Sequence, residues 1–189
     1  ILFRDWAFFA VQWWVGDRAG DLGRAMGCEV VRLDDNSLLM NHTVGKTVGS
    51  SGNDLMVIPL LPDDPLMCPV FVLDAYVSLC KEGGINVVTD FLFRPLARPR
   101  FDHVSSSPFR SADATRRLRL YLPADLQVES FTAHGSRSGV ALTLLALGCS
   151  PEDVKAHGRW ASERVFNHYA QLSNVSNLQA SVQMLKDGF

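Results

Sequence analysis

HGSRSGVALTLLALGCSPEDVKAHGRWASERVFNHY, residues 134–169, reads as three helices in close succession. Val140, Leu142, Leu144 and Leu145 make the first an apolar rod over Ala133–Leu147, and Gly148 closes it, because glycine accepts the left-handed turn on which helices end. Ser150-Pro151-Glu152-Asp153 opens the second with a serine cap, a proline where no N–H is needed, and an acid three residues after the cap. That helix is short and stops near His157-Gly158; the third runs toward Tyr169. His134 and Arg137 stand one turn apart where the first helix begins, and free N–H groups and the helix dipole favour an anion there. Taken alone, the pair reads equally well as a solvated helix start. Trp160 and Tyr169, nine residues apart, read either as core aromatics or as a phosphate holder and its attacker. The rest of the chain has to decide.

Working outward, residues 2–15 read as a helix with one apolar face, stopped by Gly16. Asp17 is placed to cap a second short helix over Arg18–Met26. Cys28–Leu33, Leu38–Thr43 and Asp54–Leu60 read as strands separated by turn-forming residues at 34–37 and 49–53, which predicts a three-stranded antiparallel sheet. Pro69 and Gly83-Gly84 bracket a helix over Val70–Lys81. Residues 94–110, with three prolines and a serine run, read as a loop, and Ala112–Tyr121 as a helix. Val175, Leu178, Val182 and Leu185 form an apolar stripe on a terminal helix. The expected fold class is α+β: a mainly helical domain with a small three-stranded antiparallel sheet.

The 189 residues, 47% apolar and 20% charged, suit one globular domain with a full core. The apolar stretch near Trp6–Val15 is too short to span a bilayer, and no signal peptide is evident, so no membrane partner is expected. The chain starts without Met, which points to a fragment of something longer. Cys28, Cys68, Cys80 and Cys149 form no C-x-x-C pair; they read as reduced thiols of an intracellular protein, with no metal site expected. A net charge of −2 lends no support to nucleic-acid binding. Between Arg94 and Arg137, however, arginines outnumber acids, which reads first as a solvated arginine-rich face.

Two further cationic positions draw attention. Arg18 lies in the first turn of its helix with Asp21 three residues on, the same face, where a carboxylate can hold a phosphate-gripping guanidinium; the pair also reads as an ordinary surface ion pair. Val44-Gly45-Lys46-Thr47 invites a P-loop reading, but position 40 is Met instead of the required Gly, and the flanking segments are strands of a hairpin. The P-loop is therefore rejected. Lys46 remains either a solvated hairpin lysine or a mobile proton donor.

The ordered set Arg18, Lys46, His134-x-x-Arg137, Trp160 and Tyr169 resembles the catalytic domain of the tyrosine recombinases, the phage-integrase family. Trp instead of His at 160 resembles Cre recombinase, and the string from His134 to Ser162 suggests the recombinases of eukaryotic Crypton and DIRS mobile elements. The similarity covers essentially the whole chain, 1–189, without the family's separate N-terminal DNA-clamping domain. The resemblance implies site-specific cleavage and rejoining of double-stranded DNA through a 3′-phosphotyrosine, with no metal, ATP or other cofactor. In this reading Tyr169 attacks, Arg18 and Arg137 clamp the phosphate, Lys46 protonates the leaving oxygen, His134 assists proton transfer, Trp160 donates its indole N–H, and Asp21 positions Arg18. Arg159 and Arg164 are candidates for DNA-backbone contacts. His157 and His168 read as solvated or structural. Relatives of this kind assemble as tetramers on DNA, so the apolar stripe within 174–186 reads as a helix exchanged with a neighbour, against the alternative that it folds back; a eukaryotic host implies the nucleus. Two other tasks fit the same set: type IB topoisomerase-like chemistry, or a domesticated DNA-binding or scaffold protein that no longer cleaves.

Overall fold

Phe8 is fully buried, with Phe93 and Phe109 edge-on to its ring at centroid separations of 5.2 and 4.9 Å. Such edge-to-face pairs add about 0.5–1.5 kcal/mol each beyond area burial. Phe8 belongs to α1 (Leu2–Val15), and Ala7, Phe8, Val11 and Val15 recur there at helical spacing and are all buried. The computed structural model describes residues 2–43, 54–97 and 103–170. Along the chain α1 is followed by α2 (Ala19–Leu22), β1 (Val30–Arg32), β2 (Leu38–His42), β3 (Asp54–Ile58), α3 (Pro69–Glu82), α4 (Ser111–Arg119), α5 (Gly135–Ala146), α6 (Pro151–His157) and α7 (Glu163–Ala170). The architecture is α+β, mainly helical, with α1 packed along α3 on one side and against α5 and β3 on others.

The sheet is antiparallel in the order β1-β2-β3, with Met40 opposite both Val30 and Met56. Its side chains alternate as the pleat requires. Leu38, Met40 and His42 face inward from β2 and are buried, as are Met56 and Ile58 from β3, while Val31, Leu55 and Val57 are exposed. His42 is thus carried into the interior by the same period that buries two apolar residues before it.

Two apolar clusters result. The larger gathers α1, the sheet, α3 and the Phe93 and Phe109 segments; the smaller gathers Ala141, Leu145, Val154, Trp160, Phe166 and Ala170 from α5, α6, α7 and the loop between the last two. On α1 the buried Gln12 donates to the carbonyls of Ala133 at 2.8 Å and Asp17 at 3.3 Å.

The expected sheet and the described helices are present, with shifted ends. The helix expected over Arg18–Met26 is one turn, Ala19–Leu22. Gly23 ends it because the chain at Phe109 crosses there: the Phe109 N–H donates to the Gly23 carbonyl at 3.2 Å, and a Cβ on Gly23 would lie 1.8 Å from the Phe109 carbonyl oxygen. The first strand begins at Val30 instead of Cys28, since Gly27–Glu29 forms a 3-10 turn in which Glu29 accepts from the Met26 N–H at 2.8 Å. Asp17 does accept a backbone N–H at the start of α2, that of Arg18 at 2.8 Å, but Arg18 itself is the cap residue. The Lys46 hairpin tip and the 174–186 helix lie outside the described residues. No helix among the described residues is long and apolar enough to cross a membrane.

Candidate functional site

Arg18 caps α2 with extended backbone, which turns its side chain along the helix so that Nη1 lies 3.6 Å from Asp21 Oδ2. Asp21 is buried, and Arg24 lies 3.6 Å from its other oxygen. The Arg18 side chain is 25% exposed, and its Nη1 is buried at ion-pair distance from Asp21.

His134 caps α5 and is exposed; Arg137 follows in the first turn and is fully buried. The His134 imidazole is held below its ordinary pKa, first by partial burial and then by the charges of Arg18 and Arg137. Both guanidinium charges oppose protonation of this ring. At neutral pH this imidazole is neutral and can accept a proton.

Arg137 is clamped. Nη1 donates to the Gly16 carbonyl at 2.6 Å, Nη2 donates to the Gly158 carbonyl, and the guanidinium lies 4.4 Å from the centre of the Trp160 ring. Trp160, buried, in turn meets Phe166 edge-on at 5.6 Å. Gly158 is required here, because a Cβ on it would lie 1.7 Å from the indole. One side chain thus ties the end of α1 to the end of α6, and an indole shields it.

The turn after α6 carries a backbone anomaly. The Arg159 and Trp160 N–H groups donate to the Ala156 and Lys155 carbonyls, both at 3.0 Å, the paired bonds of a Schellman termination. The left-handed position of that motif normally holds glycine; here Arg159 occupies it with φ +54°. A non-glycine residue there costs about 1–2 kcal/mol. Its side chain, 11% exposed, reaches inward to Asp17 Oδ1 at 3.0 Å. Asp17 is 1% exposed, and His42 Nδ1 lies 3.1 Å from its Oδ2. Burial opposes its charge, but His42, the Arg159 charge and the Arg18 N–H together hold its carboxyl below the usual carboxylate range. His42 Nε2 has no hydrogen-bond partner among the described residues.

The structure brings together Arg18, Asp21, His134, Arg137 and Trp160. Tyr169 lies in the last turn of α7, and only its backbone is described. Lys46 falls outside the described residues. Arg164 is exposed on α7. Arg159, expected on the surface as a backbone-phosphate contact, is instead turned inward to a buried carboxylate, because the reversal after α6 points it at Asp17. His157 packs by the end of α1, where burial and then Arg159 lower its pKa. Asp17 and His42 did not stand out as site residues; the usable signal was the inward phase of His42 on β2. Among the described residues, no cluster of three His, Cys, Asp or Glu side chains is arranged to hold a metal ion.

No family model and no curated protein matches this chain. Among solved structures it is similar to the Tn1549 transposon integrase (residues 82–397, Y379F) in complex with transposon right end DNA, at 12% identity and a TM-score of 0.49. The match covers 87% of this chain, which spans about half (53%) of that one.

Proposed function

We propose that this chain is a tyrosine recombinase catalytic domain that cleaves and rejoins double-stranded DNA through a 3′-phosphotyrosine. One observation carries the reading: Arg137, in the first turn after His134, lies against the Trp160 ring and bonds the carbonyl of Gly16, two residues before the Asp21-paired Arg18. Two fixed cations beside a neutral imidazole suit the negative charge that gathers on phosphate oxygens during attack. Arg18 and His134, being open to solvent, meet the phosphate first. Arg137 contributes its charge from behind them. Tyr169 is the nucleophile, and its proton passes toward His134; Lys46 protonates the departing 5′-oxygen. The phosphotyrosine conserves the phosphoester bond, so rejoining needs no added energy source. Arg164 is free to touch the DNA backbone, and assembly on DNA runs through the 174–186 helix. A mobile-element recombinase of the Crypton or DIRS kind, nuclear in a eukaryotic host, is the finer form of the proposal.

The complete burial of Arg137 favours a second reading, in which the fold binds DNA without cutting it. A suicide duplex separates the two. The wild-type protein is expected to form a denaturant-resistant adduct that Tyr169→Phe abolishes while binding is retained. Binding without an adduct on any duplex supports the non-cleaving reading.

A further inference from the structure

We infer that Asp17, gripped by Arg159 and His42, is a positioning residue that sets Arg18 and Trp160 relative to each other; the inference rests on the recombinase reading above. Asp17 is the chain neighbour of Arg18 and accepts its N–H at 2.8 Å, so the carboxylate fixes the backbone from which that guanidinium extends. Arg159 is the chain neighbour of Trp160, and its guanidinium meets the same carboxylate at 3.0 Å. His42, at the end of β2, brings the sheet to the other oxygen at 3.1 Å. Three segments distant in sequence thus converge on one buried carboxylate.

The neighbouring rung repeats the arrangement: Arg137 joins the carbonyls of Gly16 and Gly158, one residue before Asp17 and one before Arg159. Segments 16–18 and 158–160 are therefore cross-linked twice, and each carries one phosphate-directed side chain. The left-handed φ of +54° at Arg159 is the independent sign. Glycine would fit that turn without strain, so the arginine is held there for its side chain. With the side chain 11% exposed, its partner is Asp17 and not solvent.

Three variants test this: Asp17→Asn, Arg159→Gly and the double substitution. Arg159→Gly suits the left-handed backbone, so it keeps the fold even if Asp17→Asn does not; thermal melting verifies both. Adduct formation on a suicide duplex is measured in single turnover at saturating DNA, beside the affinity for the same duplex over a range of salt. A misplacement of about 1 Å can cost on the order of a hundredfold in rate. Each single variant is expected to slow adduct formation by about tenfold to a hundredfold, with affinity and salt slope unchanged. The double variant is expected to lose no more than the worse single one, since both break one contact. If Arg159→Gly instead makes the salt slope shallower by about one contact, while the saturated rate holds, Arg159 touches phosphate and the inference is overturned. Unchanged rates in the variants overturn it as well. No adduct from the wild-type protein on any duplex overturns the recombinase reading itself, a different result from a wild-type adduct that the variants leave untouched.

Discussion

Gly158 does two jobs at one position: its carbonyl accepts from Arg137, and its missing side chain makes room for the Trp160 ring. Gly158→Ala would set a methyl 1.7 Å from the indole, so the ring must move off the guanidinium. Overpacking of this kind costs about 1–3 kcal/mol. A lower urea midpoint together with changed tryptophan fluorescence is the expected outcome; an unaltered midpoint would contradict the packing. His134 offers a second measurement at this scale. Partial burial, then Arg18, then Arg137 depress its pKa, so NMR titration should find it protonating below the usual histidine value. Arg18→Gln removes one of the two charges and should raise that titration point. No change would mean that Arg18 and His134 are not neighbours.

At the scale of elements, α6 is the clearest case of sequence written into structure. Ser150 Oγ accepts from the Asp153 N–H at 3.1 Å, and Pro151 fills the first helical position. Ser150→Ala should cost about 1 kcal/mol, as losses of such caps do. In a chain of this length that is about 2–4 °C of melting temperature, readable by circular dichroism. The sheet was similarly legible, because turn residues and a period of two mark strands locally. α2 was not. Its continuation past Gly23 looks acceptable in sequence, and only the Phe109 backbone pressed against that glycine stops it. A contact between residues this far apart in sequence leaves no local pattern.

At the scale of the molecule, the two apolar clusters are bridged by buried charges, and those charges make stability depend on acid. The Asp17 carboxyl is held below its unfolded pKa of about 3.9. Its contribution is therefore fully present above that value and is lost as pH falls through the lower, folded value. Urea melts of the wild type and Asp17→Asn at pH 7 and pH 3 should show a stability gap that narrows in acid; a gap independent of pH would place Asp17 outside the network. The candidate site was partly legible at this scale. Arg18, His134, Arg137 and Trp160 each stood out by motif and order, and Arg137 lies against the Trp160 ring. The inward turn of Arg159 and the meeting of Asp17 with His42 did not, since each depends on a three-dimensional crossing of α1, β2 and the turn after α6.

By itself the amino-acid order determined most of the helices and strands and where α6 starts, because caps and periods are local quantities. Tertiary structure alone decided that Arg137 is sealed between two carbonyls and an indole, that Arg159 faces a carboxylate instead of solvent, and that His42 closes the same network. The reason is physical: burying a charge is costly unless partners meet it, and those partners come from parts of the chain that only folding brings together.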